Sequence, residues 1–468
     1  MSSIESGVGD VARKSARIRF GEETETSTSE GVNTVAQRRH KGRQRERLLR
    51  GMVDIANRGG YASASVSAVI GEAGVSRPTF YEYFSDRDDC FVQAIRDVHR
   101  RVLAAVGEAI ESDTGENATA AAVEAVVAFA SAEPALARFL MSESMAGGPA
   151  ALDARDEGMA EIAARIEAAH SSMKGAAIAP DLDRRVLLGG IYRVLATRLR
   201  RGEPAISKLT DQLLTWTSTY DRPLSEHRWA TLTPAARAPR SPHVPEIPIQ
   251  RTPGAVAPGS PRISEEQVAE NHRLRILFAT ARMAELKGYT ATTVTDISKL
   301  AGVDPHVFYR LFSGKQDAFL AVHELGFQQV MDITANAFFS ATEWPARSWE
   351  AGRALTQLLE DNPLVAHVGF VEAHAVGPAA VQRIEDTHIA FTFFLREGLV
   401  YRKQDIPPTS VVMEVIVASI FEIVYRVSRH EGKPQVASML GPIAHVWLTP
   451  FLGGDEANSF IERQRTVR

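Results

Sequence analysis

The sequence predicts an all-α chain that is built from two tandem copies of one helical unit. The stretch AGVSRPTFYEYF at 73–84 recurs as AGVDPHVFYRLF at 301–312. Apolar residues recur at three- and four-residue steps in both copies, and no segment alternates convincingly as a strand would. A length of 468 residues also suits two or more domains.

The repeat extends well beyond this first match. GGYASASVSAVIGEAGV at 59–75 resembles KGYTATTVTDISKLAGV at 287–303, and ESMAGGPAALDAR at 143–155 resembles EAHAVGPAAVQRI at 372–384. The matches keep the same order, and their offset drifts only from 228 to 231 residues, the last being Trp216 to Trp447. Two copies of this length indicate a tandem of complete domains, not a short-repeat solenoid.

Composition excludes several classes of protein. A single cysteine, Cys90, cannot form an intramolecular disulfide and fits a reducing compartment. No run approaches the roughly 18 apolar residues of a membrane span, and the N-terminus lacks a secretion signal, so we expect a cytoplasmic protein without membrane contact. No nucleophile–base spacing, phosphate loop or metal-ligand set is present, which predicts neither an enzyme nor a metal or other cofactor.

The first copy of the repeated stretch predicts a helix-turn-helix. Val66–Ala73 forms a short helix, Gly74 permits a tight turn, and Ser76 can cap the next helix. Phe80 and Phe84, four residues apart, face the core together. Two short helices joined in this way place the second one suitably for a DNA major groove.

Basic and polar residues surround this second helix. RRHKGRQRERLLR at 38–50 carries seven Lys or Arg against one Glu, and a flexible basic arm can follow a phosphate backbone. A solvated linker is the usual alternative for such a run, but its position next to a helix-turn-helix favours DNA contact. The cations predicted to contact DNA are Arg38, Arg39, Lys41 and Arg43, and the second helix leaves Arg77, Thr79, Tyr81 and Tyr83 on its flanking or outward surfaces.

With these motifs the chain resembles the tetracycline-repressor-like (TetR/AcrR) transcriptional regulators. The resemblance is carried by AGVSRPTFYEYF with DRDDCFVQAI, and by TTVTDISKLAGVD with FYRLFSGKQDAFLAV, about 50 residues of each half. It implies a three-helix DNA-binding head, a helical effector-binding body, and two C-terminal helices that pair two units through a four-helix bundle. It also implies that Ser76, Arg77, Thr79, Tyr81 and Tyr83 face double-stranded DNA.

The predicted domains follow from the repeat, the resemblance and the prolines, of which nine of 23 lie in residues 221–262. They are a disordered tail (1–36), a first head (37–95), a first regulatory body (96–220), an extended Pro-rich linker (221–262), a second, divergent head (263–323), a second body (324–455) and a tail (456–468).

The second head departs from the first where DNA would be contacted. Asp304 and Pro305 replace Ser76 and Arg77, and the upstream segment ISEEQVAENHRLR is not a basic arm. Asp caps helices well and Pro suits the first helical position, so we expect a folded but weaker or altered DNA reader. Its predicted contact residues are Asp304, His306, Tyr309 and Arg310.

Apolar helices near the end of each half predict that one chain forms a pseudo-dimer, with a further homodimer left open. The predicted seam pairs about 182–201 and 206–220 with 410–431 and 436–448, although core packing within each body would need similar faces.

Function remains between two classes: a regulator, most simply a repressor relieved by a small apolar effector, and a ligand-binding or interaction module with vestigial heads. The many aromatics of the second body favour ordinary core over a cavity.

Overall fold

The computed structural model describes residues 29–112, 117–172, 182–220, 249–255, 264–402, 409–429 and 435–466, without the side chains of 29–39, 171–172 and 466. Throughout these residues every regular element is helical and none is a strand, so the predicted all-α class is confirmed. No single helix in the described ranges is long and apolar enough to cross a membrane; 118–132 and 134–146 pass that test only as a pair bent by 115°.

The first half forms a head of three helices that pack on one another, followed by a helical body. Its α-helices are α1 (Ser29–Gly59), α2 (Val66–Ala73), α3 (Arg77–Tyr83), α4 (Arg87–Ser112), α5 (Ala118–Ala132), α6 (Pro134–Met141), α7 (Pro149–Ser172), α8 (Arg184–Arg200) and α9 (Thr210–Ser218). Short 3-10 turns at Tyr61–Ser63, Glu143–Ala146 and Ile206–Leu209 connect some of them.

The second half repeats this order with a more broken body. Its α-helices are α10 (Glu265–Lys287), α11 (Val294–Ala301), α12 (Pro305–Leu311), α13 (Lys315–Phe338), α14 (Trp344–Asp361), α15 (Pro363–His367), α16 (Ala373–Val376), α17 (Pro378–Phe391), α18 (Gly398–Tyr401), α19 (Ser410–Arg429), α20 (Leu440–Leu452) and α21 (Gly454–Thr466). A π-helical turn at Val368–Glu372 joins α15 to α16.

Each head folds around two phenylalanines, as the periodicity predicts. In the first head Leu48, Met52 and Ala56 of α1 are fully buried, and Phe80 and Phe84 are at most 2% exposed. In the second head Phe308 is fully buried and α10 packs on both α11 and α12. An apolar core therefore holds the second helix of each helix-turn-helix against a long first helix.

Both predicted chain ends differ from the structure. Helix α1 begins at Ser29, so residues 29–36 of the predicted disordered tail are helical, because no proline interrupts the chain before the packed turns. Residues 1–28 lie outside the described residues. The predicted tail at 456–468 lies almost wholly in α21, where Ala457 and Ile461 are fully buried. Their four-residue spacing makes α21 an amphipathic helix that packs on α20.

Part of the predicted extended linker is packed. Ile249 is fully buried, and Gln250 accepts a hydrogen bond from the Leu364 amide at 3.3 Å. Asn271 donates to the Gly254 carbonyl at 3.0 Å. The prolines that flank this segment prevent a helix but leave one apolar side chain free to enter the core, so the expectation of an unpacked linker is wrong for 249–255. The remaining linker, 221–248 and 256–262, lies outside the described residues.

The bodies of the two halves pack against each other along α8 and α19. The helices approach closely where α8 carries two glycines. A Cβ atom on Gly190 would lie 2.1 Å from Ser419 Oγ, and one on Gly189 would lie 2.3 Å from Glu422 Cγ, so neither position has room for a larger residue. Nearby, the Tyr220 hydroxyl donates to the Val446 carbonyl at 2.6 Å.

An ion cluster lies in the centre of this contact. Arg155 donates to both carboxylate oxygens of Glu422, at 2.9 and 3.1 Å, and the two side chains are only 3% and 1% exposed. Arg193 lies 3.4 Å from the same carboxylate. Burial alone would raise the pKa of Glu422, but Arg155 and Arg193 hold that pKa below its ordinary value. The central carboxylate is therefore ionised and shared by two arginines of the other half.

Further ion pairs surround the cluster. Arg198 of α8 lies 2.6 Å from Glu414 of α19, which again puts the cation on the first half. At the other edge the charges are reversed, because Arg426 of α19 lies 2.7 Å from Asp183. The two sides of the contact thus carry different charges, although both descend from the same repeated unit.

Candidate nucleic-acid interface

The first head holds α3 by its turn and its cap. Gly74 adopts left-handed backbone angles (φ 58°, ψ 45°), which end α2 and turn the chain. Arg47 of α1 donates to the Gly74 carbonyl at 3.0 Å. Ser76 then accepts a hydrogen bond from the Thr79 amide at 3.2 Å, as its predicted capping role requires. The start of α3 is therefore fixed to both neighbouring helices.

The outer face of α3 is open to solvent. Tyr81 is 51% exposed, and Ser76 and Arg77 are exposed. The Arg77 guanidinium donates to Ser67 Oγ at 2.7 Å, which holds this cation over the N-terminal part of the helix-turn-helix. Thr79 is half-buried, and its hydroxyl lies 2.8 Å from that of Ser76. A cation, an aromatic ring and two hydroxyls are thus presented together on one short helix.

Tyr83 has a different position from the other predicted contact residues. It is half-buried, and its hydroxyl donates to the Lys41 carbonyl at 3.1 Å, with Gln44 Oε1 as a second acceptor at 3.2 Å. Burial raises the pKa of Tyr83. Its hydroxyl therefore joins α3 to α1.

The predicted flexible arm is part of a helix. Residues 38–50 all lie within α1, because the same helix that packs on α2 continues without a break towards the N-terminus. Lys41 and Arg43 are exposed on it, whereas the side chains of Arg38 and Arg39 lie outside the described residues. Arg45 is turned inward, with its guanidinium 5.8 Å from the Phe84 ring centre. The basic run is thus a helix surface next to α3.

The second head has the same backbone but another surface. Gly302 repeats the left-handed angles (φ 59°, ψ 41°), and Asp304 accepts a hydrogen bond from the His306 amide at 2.7 Å. Pro305 is the first residue of α12, as predicted. Tyr309 is 59% exposed, and Asp304, His306 and Arg310 are also exposed. The head is folded and accessible, but an anion stands where the first head has Ser76.

One contact that recurs in both heads, between an arginine and the turn glycine, was not predicted from the sequence. Arg275 of α10 lies 3.5 Å from the Gly302 carbonyl, in the same way that Arg47 bonds Gly74. Both pairs are 27 residues apart, so the repeat itself contained the signal. These arginines satisfy the carbonyl at the end of the first short helix, and we assign them to bracing the turn.

An apolar cavity lies in the second body, between α13, α14, α17 and α19. Its volume is about 90 Å³. Phe370, Phe391 and Phe394 line it, whereas Phe338 and Trp344 are ordinary core. Ile249 of the linker contributes to its wall. The aromatics of this region thus divide between core and cavity.

The titratable groups of the described residues offer little chemistry. No group of three or more His, Cys, Asp or Glu side chains within those ranges could hold a metal ion. Cys90 is buried, and burial raises the pKa of its thiol far above the ordinary value, which makes it unreactive. The His323 imidazole, which lines the cavity, has its pKa lowered to about 4 by burial and by Arg383.

Sequence comparison identifies both heads. The family model described as bacterial regulatory proteins, tetR family, matches residues 48–94 and 276–322. The uncharacterized HTH-type transcriptional regulator YdgC of Bacillus subtilis (strain 168) is 36% identical over 58 residues. That alignment spans 12% of this chain and 30% of the length of YdgC.

Comparison with solved structures finds regulators as well. The fatty acid degradation regulator FadR from Bacillus halodurans is 16% identical, with a TM-score of 0.32, over 38% of this chain and 94% of that one. FadR from Bacillus subtilis, solved in complex with stearoyl-CoA, is 16% identical, with a TM-score of 0.32, over 36% and 95%. A putative TetR-family regulator from Syntrophomonas wolfei is 20% identical, with a TM-score of 0.32, over 36% and 91%.

Proposed function

Because this chain belongs to the tetR family of bacterial regulatory proteins and carries two of the family's DNA-binding domains in tandem, we propose that it binds one specific operator and represses transcription until a small apolar effector releases it. The observation that carries this proposal is the capped, solvent-facing helix α3 with Arg77 and Tyr81 outward. A regulator of this kind acts in the cytoplasm.

The first head supplies most of the DNA contact. Ser76, Arg77, Thr79 and Tyr81 enter the major groove, while Tyr83 holds α3 against α1 and contacts DNA with the exposed part of its ring. Four cations of α1 lie along the phosphate backbone: Lys41 and Arg43, which are exposed, and the sequence-predicted Arg38 and Arg39. Such contacts release counterions, so the affinity falls steeply as salt is raised, with a slope of roughly 0.9 in log–log form per phosphate.

The second head binds DNA more weakly. Tyr309 and Arg310 can reach a phosphate, and His306 can donate to one. Asp304 repels phosphates, and Val307 stands where the first head has the Thr79 hydroxyl. The operator is therefore an imperfect palindrome. The first head recognises the bases of one half-site, whereas the second head binds the other half-site mainly through its phosphates.

One chain provides both halves of the DNA-binding assembly. The close contact of α8 with α19 and the buried Arg155–Glu422 pair support this pseudo-dimer. A second chain is then unnecessary for two heads to meet the same duplex. Because the charges of α8 and α19 differ, each half recognises the other in preference to a copy of itself.

The effector binds the second body in the apolar cavity. Release requires that the effector bind a state with displaced heads more tightly than the DNA-competent state, since equal affinity would shift nothing. The cavity adjoins α19, the helix that contacts the first half, because Val417, Ile420, Phe421 and Val424 line it. Occupancy of the cavity can thus alter the packing between the halves and with it the head spacing.

A DNA-selection experiment tests the proposal. The purified chain is incubated with a random duplex library at low salt, bound DNA is amplified, and the rounds are repeated with Arg77→Ala as the matched variant. We expect one asymmetric motif to be enriched by the natural chain and lost with Arg77→Ala. Selection of no motif by the folded natural chain would instead favour a ligand-binding module with vestigial heads.

A further inference from the structure

We propose that the cavity of the second body takes an uncharged, mainly apolar molecule that carries one hydrogen-bond acceptor, such as a ketone, ester or ether oxygen. This inference deepens the effector role proposed above and rests on it. Three properties of the cavity carry it: the absence of charge in its walls, a set of unpartnered hydrogen-bond donors, and a contrast with the first half.

The walls of the cavity carry no formal charge. Among the residues that the structure describes, no Asp, Glu, Lys or Arg lines it. The titratable side chain there is His323, which is neutral at pH 7 because its pKa is lowered to about 4. A carboxylate or phosphate entering this space would lose its hydration without gaining a counter-charge, which is strongly unfavourable. The cavity therefore discriminates against ionised ligands.

Three side chains that line the cavity carry buried polar atoms without a hydrogen-bond partner. These atoms are Thr334 Oγ1, Ser348 Oγ and Trp447 Nε1. Each residue is at most 7% exposed. An indole nitrogen can only donate, and leaving a buried donor without an acceptor has a free-energy cost. A ligand that brings an acceptor oxygen removes this cost, whereas a plain hydrocarbon leaves it in place.

The first half satisfies the corresponding donor internally. Trp216 matches Trp447 in the repeat, and its Nε1 donates to the Tyr220 hydroxyl at 3.1 Å. Both Trp216 and Tyr220 are buried. The fold can therefore provide a hydrogen-bond acceptor for this indole N–H without a ligand, but the second half provides none for Trp447. The unpaired Nε1 of Trp447 is therefore a feature of the second half and not a general requirement of the fold.

The Trp447 indole is also held in place. It packs over Gly352 of α14, where a Cβ atom would lie 2.1 Å from Trp447 Cη2, so only glycine admits the ring. Gly352 is four residues after Ser348 on the same helix, which brings the hydroxyl and the indole to one region of the wall. Phe370, Phe391 and Phe421 provide apolar surface elsewhere in the cavity for the rest of the molecule.

Calorimetric titration of the full-length chain without DNA tests the inference with three probes of similar length: decan-2-one, decanoate and undecane. At pH 7.5 we expect the ketone to bind at least about tenfold more tightly than either of the others, since only it is both neutral and an acceptor. Trp447→Phe keeps a smaller aromatic ring and removes the donor, and it should weaken ketone binding about tenfold more than it changes undecane binding.

Trp349→Phe is the matched control. Trp349 is also buried on α14, where its ring lies by Phe460, and it does not line the cavity. Three results would each overturn the inference. They are tighter binding of decanoate than of the ketone, an equal loss of ketone affinity with Trp447→Phe and Trp349→Phe, and no binding of any probe. Because these titrations contain no DNA, such a result leaves operator recognition to be judged separately by the selection experiment.

Discussion

Replacing Glu422 by alanine is expected to lower the free energy of unfolding by about 3–5 kcal/mol, the largest stability effect that the structure predicts. The substitution leaves two arginine side chains, Arg155 and Arg193, buried without their carboxylate. It also opens a void beside Gly189, against which the Glu422 side chain packs. Urea unfolding followed by far-ultraviolet circular dichroism measures the loss.

Glu414→Ala is the matched control for this prediction. Glu414 lies on the same face of α19 but is 23% exposed, and its partner Arg198 keeps a second carboxylate, Glu203, at 3.3 Å. We expect a loss of about 1 kcal/mol or less. If Glu422→Ala proved as mild as Glu414→Ala, the buried pair would not hold the two halves together, and the pseudo-dimer would need another basis.

Removing the outward side chains of the first head is expected to weaken operator binding far more than the same change in the second head. Arg77→Ala with Tyr81→Ala should reduce the affinity for the selected operator by roughly 100-fold, since each good contact contributes about 1–3 kcal/mol. Tyr309→Ala with Arg310→Ala should reduce it by less than about tenfold. Fluorescence anisotropy at several salt concentrations gives both the affinity and its salt dependence.

These four side chains serve as mutual controls. Tyr81 and Tyr309 are both largely exposed, as are Arg77 and Arg310, so neither double substitution should change the melting temperature. Each lost phosphate contact lowers the log–log salt slope by about 0.9, which separates lost charge from misfolding. Equal losses from the two heads would refute the proposed difference between them.

The local signals in the sequence determined the heads well. The turn at Gly74, the cap at Ser76 and the buried Phe80 and Phe84 were all predictable, because capping and packing depend on residues within one or two helical turns. The cap of α12 at Asp304 was predictable for the same reason. DNA contact by the outward residues remains a prediction.

The longer-range features could not be predicted. Arg155 and Glu422 are 267 residues apart, and nothing local to either marks it as half of a buried pair. Ile249 is an apolar residue in a proline-rich segment, and its local sequence does not indicate that it lines the cavity of the second body. The basic run at 38–50 was expected to be flexible because charge was the visible signal, whereas helix continuity decided its conformation.

The number of chains on one operator tests the central claim most directly. Sedimentation equilibrium of the natural chain with a labelled operator duplex, at protein concentrations above saturation, gives the mass of the complex. We predict one chain per duplex, with Glu422→Ala reducing the fraction of competent chains. Two chains on the smallest operator that binds fully would contradict the account, because each chain would then supply only one of the heads required.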